Sequence, residues 1–157
     1  MKSLLLGSLL GVALLVSGVS YAACNPVLTK PTGIYLVHGN GTVTDNETGL
    51  MWEVATSAAI TWDVALANSV TAITAAYTDW RLPNSKELAS LTDKACSSPA
   101  INAVVFPGTV SGNYWTSTPV NNAGSANSAF TVNFANGSLN VTTKNTANNV
   151  RLVRAGY

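Results

Sequence analysis

The chain has 157 residues, eight of them Lys or Arg, seven Asp or Glu and one His, so that 10% is charged while 47% is hydrophobic. Soluble domains carry about a quarter charged residues; here Thr and Asn supply the polarity instead. A nearly neutral chain has no basic stripe for a phosphate backbone and this one is too apolar to stay unfolded, which excludes nucleic-acid binding and disorder.

Lys2 precedes an apolar run from Leu4 to Val16 and small residues from Ser17 to Ala23, the order of a secretory signal. Ser20-Tyr21-Ala22 places small residues at the two positions a signal peptidase reads. This predicts a signal peptide over 1–22 and one mature domain over 23–157, with seven basic and seven acidic side chains and length enough to bury a core. The implied location is secreted, periplasmic or on the cell surface. Two other outcomes stay open: residues 4–23 retained as a membrane anchor, and lipid on Cys24, because Tyr21-Ala22-Ala23-Cys24 resembles a bacterial lipobox. The chain contacts a membrane only in those two cases. Without lipid, Cys24 and Cys96 are an even pair in an oxidising compartment, where a disulfide is expected. It would close a long loop, a constraint of roughly 4 kcal/mol.

The first strand signals are the apolar run 33–37, then Thr42-Val43-Thr44 and Leu50 to Val54 about the turn cluster Asp45 to Gly49, which predict a hairpin. Two helices of about 10 to 14 residues follow. In the first, Thr61 is the N-cap and Trp62, Ala65, Leu66, Val70 and Ile73 recur at helical spacing, with Asp63 in the first turn. In the second, Asn84 stands three residues ahead of Glu87, a variant capping box, and Leu88 and Leu91 face inward. Beyond Cys96 the pattern is β. Phe130, Val132 and Phe134 alternate with Thr131, Asn133 and Ala135, Asn136-Gly137 marks a hairpin, and Leu139, Val141 and Thr143 return opposite Ser138, Asn140 and Thr142. Val150 to Arg154 closes as a last strand, which puts Arg151 and Arg154 on opposite faces and at least one of them in solvent. Strands, two helices, then strands is an α+β order. Trp52, Trp62, Trp80 and Trp115 read as core, and Arg81 as a brace to a carboxylate such as Asp45 or Glu87.

Four segments in order carry a family resemblance: Gly41 to Trp52 (GTVTDNETGLMW), Asp79 to Asn84 (DWRLPN) with Lys86-Glu87-Leu88, Tyr114 to Thr118 (YWTST), and Val150 to Arg154 (VRLVR). Together they resemble the C-terminal domain of bacterial collagen-like adhesins. That family is similar to the formylglycine-generating-enzyme type of C-type lectin fold. The resemblance therefore implies a C-type-lectin-like single domain with short antiparallel strands and two short helices, and extracytoplasmic adhesion or recognition. It also implies kinship with variable proteins of diversity-generating retroelements, whose codons are randomised near the C-terminus. Leu152 stands where many members have Cys, so the family lends no support to a Cys24–Cys96 pairing.

No constellation for catalysis stands out. A lone His38 cannot build a zinc site, Asp45 and Glu47 are too few acids for a calcium loop, and no cofactor or metal is expected. The strongest bias is positional. Ten of the sixteen asparagines lie in 113–149, where Lys144 is the only charge, and Asn is a poor strand former. Turn filling accounts for part of this. A recognition face of amides, each both donor and acceptor, or a diversified region, accounts for the rest. The candidate ligand residues are Asn121, Asn122, Asn127, Asn133, Asn140, Asn145 and Asn148. Asn133 and Asn140 are expected to be presented, because alternation sets them against the apolar face. With Lys144 as the lone cation, the expected ligand is a neutral glycan or a protein. A structural subunit that self-associates through strand edges is the alternative.

Overall fold

The computed structural model describes residues 23–24, 28–122 and 124–156; the segment expected to be a signal peptide, 1–22, lies outside the described residues. The α+β expectation is overturned, because the fold is dominated by sheet. Its strands are β1 (Ala23–Cys24), β2 (Tyr35–Val37), β3 (Thr42–Asp45), β4 (Leu50–Glu53), β5 (Ser57–Ile60), β6 (Cys96–Ser97), β7 (Asn113–Pro119), β8 (Ser128–Asn133), β9 (Ser138–Thr143), β10 (Asn148–Val150) and β11 (Val153–Ala155). Against these stand two helices, α1 (Trp62–Ser69) and α2 (Ser85–Ser90), of eight and six residues.

The helices are shorter than their spacing predicts for a physical reason. After Ser69, whose hydroxyl donates to the Leu66 carbonyl, the chain turns, with the Thr71 N–H on the Asn68 carbonyl. Val70 and Ile73 then point outward, 71% and 70% exposed. Thr61 occupies the N-cap without a side-chain cap bond. In α2 the Asn84 side chain accepts the Glu87 N–H while the Glu87 carboxylate accepts the Asn84 N–H, so the capping box forms in full. Leu88 and Leu91 are completely buried.

Three sheets result. One has the order β11-β4-β3-β2, another β5-β10-β7-β8-β9, and the third pairs β1 with β6. The predicted hairpin is β3–β4, with Asp45 opposite Leu50. All pairings are antiparallel except β10 with β7. Cys24 lies directly opposite Cys96, and the two form the disulfide. β7 and β8 are buried on both faces: Tyr114, Val132 and Phe134 join Trp52, Leu88, Leu91 and Phe106 in one core, while Trp115 and Ala129 join Met51, Trp80, Leu82, Val150 and Leu152 in another. Of the four tryptophans only Trp62 is half-buried, its Nε1 on the Thr116 carbonyl at 2.8 Å. The β8–β9 hairpin closes through a four-residue loop in which Gly137, but not Asn136, takes positive φ, with Thr92 seated 3.4 Å from where its Cβ would be.

The last predicted strand is two strands in two different sheets. β10 ends at Val150 and β11 begins at Val153, so strand alternation does not apply between Arg151 and Arg154, and both are buried rather than one being solvent-facing. Near the chain end Gly156 meets the β3–β4 turn so closely that a Cβ would lie 2.4 Å from the Gly49 carbonyl oxygen. Thr74 and Tyr77 bridge across a two-residue turn in which Ala75 and Ala76 have φ of 54° and 64°. That turn type favours Asn-Gly.

Two stability measurements check this account. Trp115→Ala removes a completely buried ring whose Nε1 binds the Ile60 carbonyl, and a denaturant melt should lose about 3–5 kcal/mol. Replacing Ala75-Ala76 by Asn-Gly relieves two left-handed alanines, and the same melt should gain about 1 kcal/mol.

Candidate functional site

The β8–β9 hairpin builds a polar stripe on one face of the five-stranded sheet. Register places Asn133 opposite Ser138, Thr131 opposite Asn140, and Ala129 opposite Thr142. The Lys144 N–H on the Asn127 carbonyl at 2.9 Å adds one further row. These residues share a face because strand side chains alternate, and from Asn133 to Asn127 the stripe runs roughly 20 Å. Asn113, opposite Asn133 on β7, extends it sideways.

Short amides hold one another in place here. The Asn140 Nδ2 donates to the Asn113 Oδ1 at 3.3 Å, the Ser138 hydroxyl to the Asn140 Oδ1 at 3.4 Å, and the Asn149 Nδ2 to the Asn113 carbonyl at 3.1 Å. The Thr131 and Thr142 hydroxyls pair at 3.1 Å. Asn113, Asn133, Ser138, Asn140 and Thr142 are each partly exposed and Asn127 is exposed, whereas Thr131 and Ala129 between them on β8 are completely buried, so the accessible part of the stripe runs along β9 and past the two ends of β8.

The sequence candidates divide accordingly. Asn133, Asn140 and Asn127 lie on the stripe, although the Asn133 Oδ1 is committed to the Ala135 N–H of its own turn at 2.7 Å. Asn121, Asn122 and Asn145 are exposed in the loops at the Asn127 end. Asn148 does not join them: it pairs with Ile60 in β10 and is only 6% exposed, and its Nδ2 has no partner among the described residues. Asn113 and Asn149 were missed, because only the order of the strands makes them neighbours of Asn140. The face assignment of Asn133 and Asn140 holds. The opposite face, however, is buried only as far as β8: Leu139 and Val141 are 51% and 52% exposed, since α2 packs on β7 and β8 and β9 is the sheet edge.

Charged side chains elsewhere serve as braces. Arg81 grips Glu87 with two bonds of 2.7 Å, which selects Glu87 over Asp45 as its carboxylate. Arg154 grips Asp79 at 2.7 and 3.1 Å and stacks 3.9 Å from the Tyr77 ring. Lys30 pairs with Glu47, and Lys144 lies 4.3 Å over the Trp62 ring. His38 binds the Thr44 hydroxyl at 2.8 Å, and Asp45 caps its own turn through the Glu47 N–H. The Arg81 fork holds the Glu87 carboxyl below its ordinary value, and Arg154 does the same for Asp79. Burial pushes the Asp93 carboxyl up, but the Thr29 hydroxyl and the N–H groups of Lys30, Ala95 and Thr29 outweigh it and leave it depressed.

A carboxylate depressed by folding stabilises the fold fully above its unfolded pKa and loses that contribution as pH falls through the folded value. Denaturant melts across pH should therefore hold steady above the unfolded values of 4.5 for Glu87 and 3.8 for Asp79 and Asp93, and weaken below them. Glu87→Gln should lower stability at neutral pH and flatten part of that acid limb.

No curated protein matches the chain. A family model covers residues 41–154, which takes in all four of the sequence blocks and the whole β7–β10 region carrying the stripe. The chain therefore belongs to the Lcl C-terminal domain family.

Proposed function

We propose that this is a non-catalytic recognition domain, exported to the cell surface or secreted, that binds an uncharged, hydroxyl-rich ligand along the β8–β9 stripe. The ligand class is a neutral glycan, or a protein surface of similar polarity. The resemblance of the four sequence blocks to collagen-like adhesins, and the compatibility of the Lcl C-terminal domain family with a surface adhesion-like role, support this reading.

The observation that carries it is the composition of the stripe. Asn127, Asn140 and Asn113, with Ser138 and Thr142, offer both donors and acceptors along β9 and at the ends of the stripe, and Lys144, on the same face, is stacked on Trp62. Amides suit sugar hydroxyls because each can both give and accept a hydrogen bond. Elsewhere Arg81, Arg154, Glu87 and Asp79 are engaged with one another, which favours binding over acid–base chemistry.

A glycan-array screen of the exported domain, followed by calorimetry on a hit, tests the proposal. Asn127→Ala, Asn140→Ala and Asn145→Ala combined should weaken binding at least about tenfold, while each costs no more than about 1 kcal/mol of stability. Affinity should change little between low and moderate salt. Full affinity in the triple variant, or affinity that collapses with salt, would sink the reading.

A further inference from the structure

We propose that β9 is a self-association edge: it pairs with β9 of a second copy of this chain, antiparallel about a twofold axis normal to the sheet, and so joins two five-stranded sheets into one. The proposal shares Ser138, Asn140 and Thr142 with the ligand stripe but is argued from the free backbone edge of β9 and not from ligand binding.

The ladder with β8 sets which backbone groups β9 leaves unused. Its register is regular from Ser128–Thr143 to Asn133–Ser138. The Lys144 N–H on the Asn127 carbonyl fixes the phase: Asn127/Lys144, Ala129/Thr142, Thr131/Asn140 and Asn133/Ser138 are the pairs that exchange hydrogen bonds. The N–H and C=O groups of Leu139 and Val141 therefore point away from β8, along the free edge. The Thr143 carbonyl is already taken by the Thr146 N–H.

The other edges of the two large sheets are blunted in ways proteins commonly use against pairing. β5 meets β10 with a shifted register, β2 has three residues, and β11 also has three and is bridged by Arg81. β9 has six residues, no charge, no proline and no bulge. Leu139 and Val141 stand half-exposed on it.

Self-complementarity points to a second copy as the occupant. With the twofold at Asn140, that amide faces its own counterpart, and Leu139 faces Val141 of the second copy. Ser138 faces Thr142 of the second copy in turn. Apolar groups then meet apolar groups on one face and polar groups meet polar groups on the other. Leu139 and Val141 are also the residues with outward backbone groups, so they can exchange both hydrogen bonds. An isologous contact of this kind closes on itself as a dimer. Neither the strand nor the chain over 23–157, with equal numbers of acidic and basic residues, opposes it with net charge.

Sedimentation equilibrium of the exported, disulfide-bonded domain, read with amide hydrogen exchange, tests this. A contact of one strand pair is small, so the range from about 1 μM to about 500 μM is the relevant one. The mass should rise from one chain toward two, and the Leu139 and Val141 amides should become protected only at the high end. Val141→Lys and, separately, Leu139→Lys should stay monomeric at every concentration, and both alter half-exposed side chains. Ala58→Lys, on the exposed β5 edge, should dimerise like the parent. A parent that stays monomeric with both amides exchanging freely overturns the proposal, including the case in which the edge accepts only an unrelated extended peptide. So does a dimer that survives both lysine variants.

Discussion

The guanidinium of Arg151 is the constraint on which the two large sheets depend. The chain leaves the five-stranded sheet at Val150 and enters the four-stranded one at Val153, so Arg151 sits where the layers are joined, with no exposed surface. Its Nη2 donates to the Val54 carbonyl and to the hydroxyls of Thr56 and Thr109, at 3.2, 3.1 and 2.9 Å. The Phe106 and Tyr114 rings lie 4.7 and 5.9 Å from its central carbon. One side chain thus ties the β4–β5 connection, the loop before β7, and β7 itself to the crossover. Neutral oxygens and ring faces take the place of a carboxylate. Burying a cation costs several kcal/mol, and burial pulls this guanidinium down to about 10, still protonated at neutral pH. Charge-assisted bonds from Nη2 and the ring contacts offset part of that cost, while Nε and Nη1 are buried with no hydrogen-bond partner among the described residues.

The other charges follow a division of labour. Arg81–Glu87 locks the start of α2, and Arg154–Asp79 fastens β11 to the segment before α2. Asp93 gathers the Thr29–Lys30 segment and the turn at Ala95. Because the few charged residues are spent on joining segments, the β7–β9 face is left to amides and hydroxyls. Its neutrality is a consequence of how the scaffold is braced as well as a property of the site. The same economy of charge leaves β9 without the lysine that sheet edges often carry.

Local signals were legible wherever a residue's neighbours in sequence decide its conformation. The capping box of Asn84 and Glu87, the β3–β4 hairpin, the β8–β9 hairpin, and the burial of Trp52, Trp80 and Trp115 all follow from composition, spacing and turn chemistry, whereas the Cys24–Cys96 expectation rested on an even thiol count in an oxidising compartment. Periodicity failed where burial depends on what arrives from elsewhere. Val70 and Ile73 keep helical spacing with Leu66 yet lie past the end of α1. Leu139 and Val141 alternate with perfect strand period, but no element covers β9 on that side. Asn148 reads as a loop residue and is instead a strand residue between β5 and β7.

By itself the sequence determined the two main hairpins, the start of each helix and the alternation along β8 and β9, because these depend on contacts a few residues apart, and it holds a single charge, Lys144, in 113–149. Only the tertiary structure decided which sheet each strand joins, and so the class of the fold. It also split the final strand in two, buried both Arg151 and Arg154, and brought Asn113, Asn140 and Asn149 into one amide cluster. Those outcomes depend on strand order and on what covers each face. Pairings between residues tens of positions apart fix both, and no local pattern encodes them.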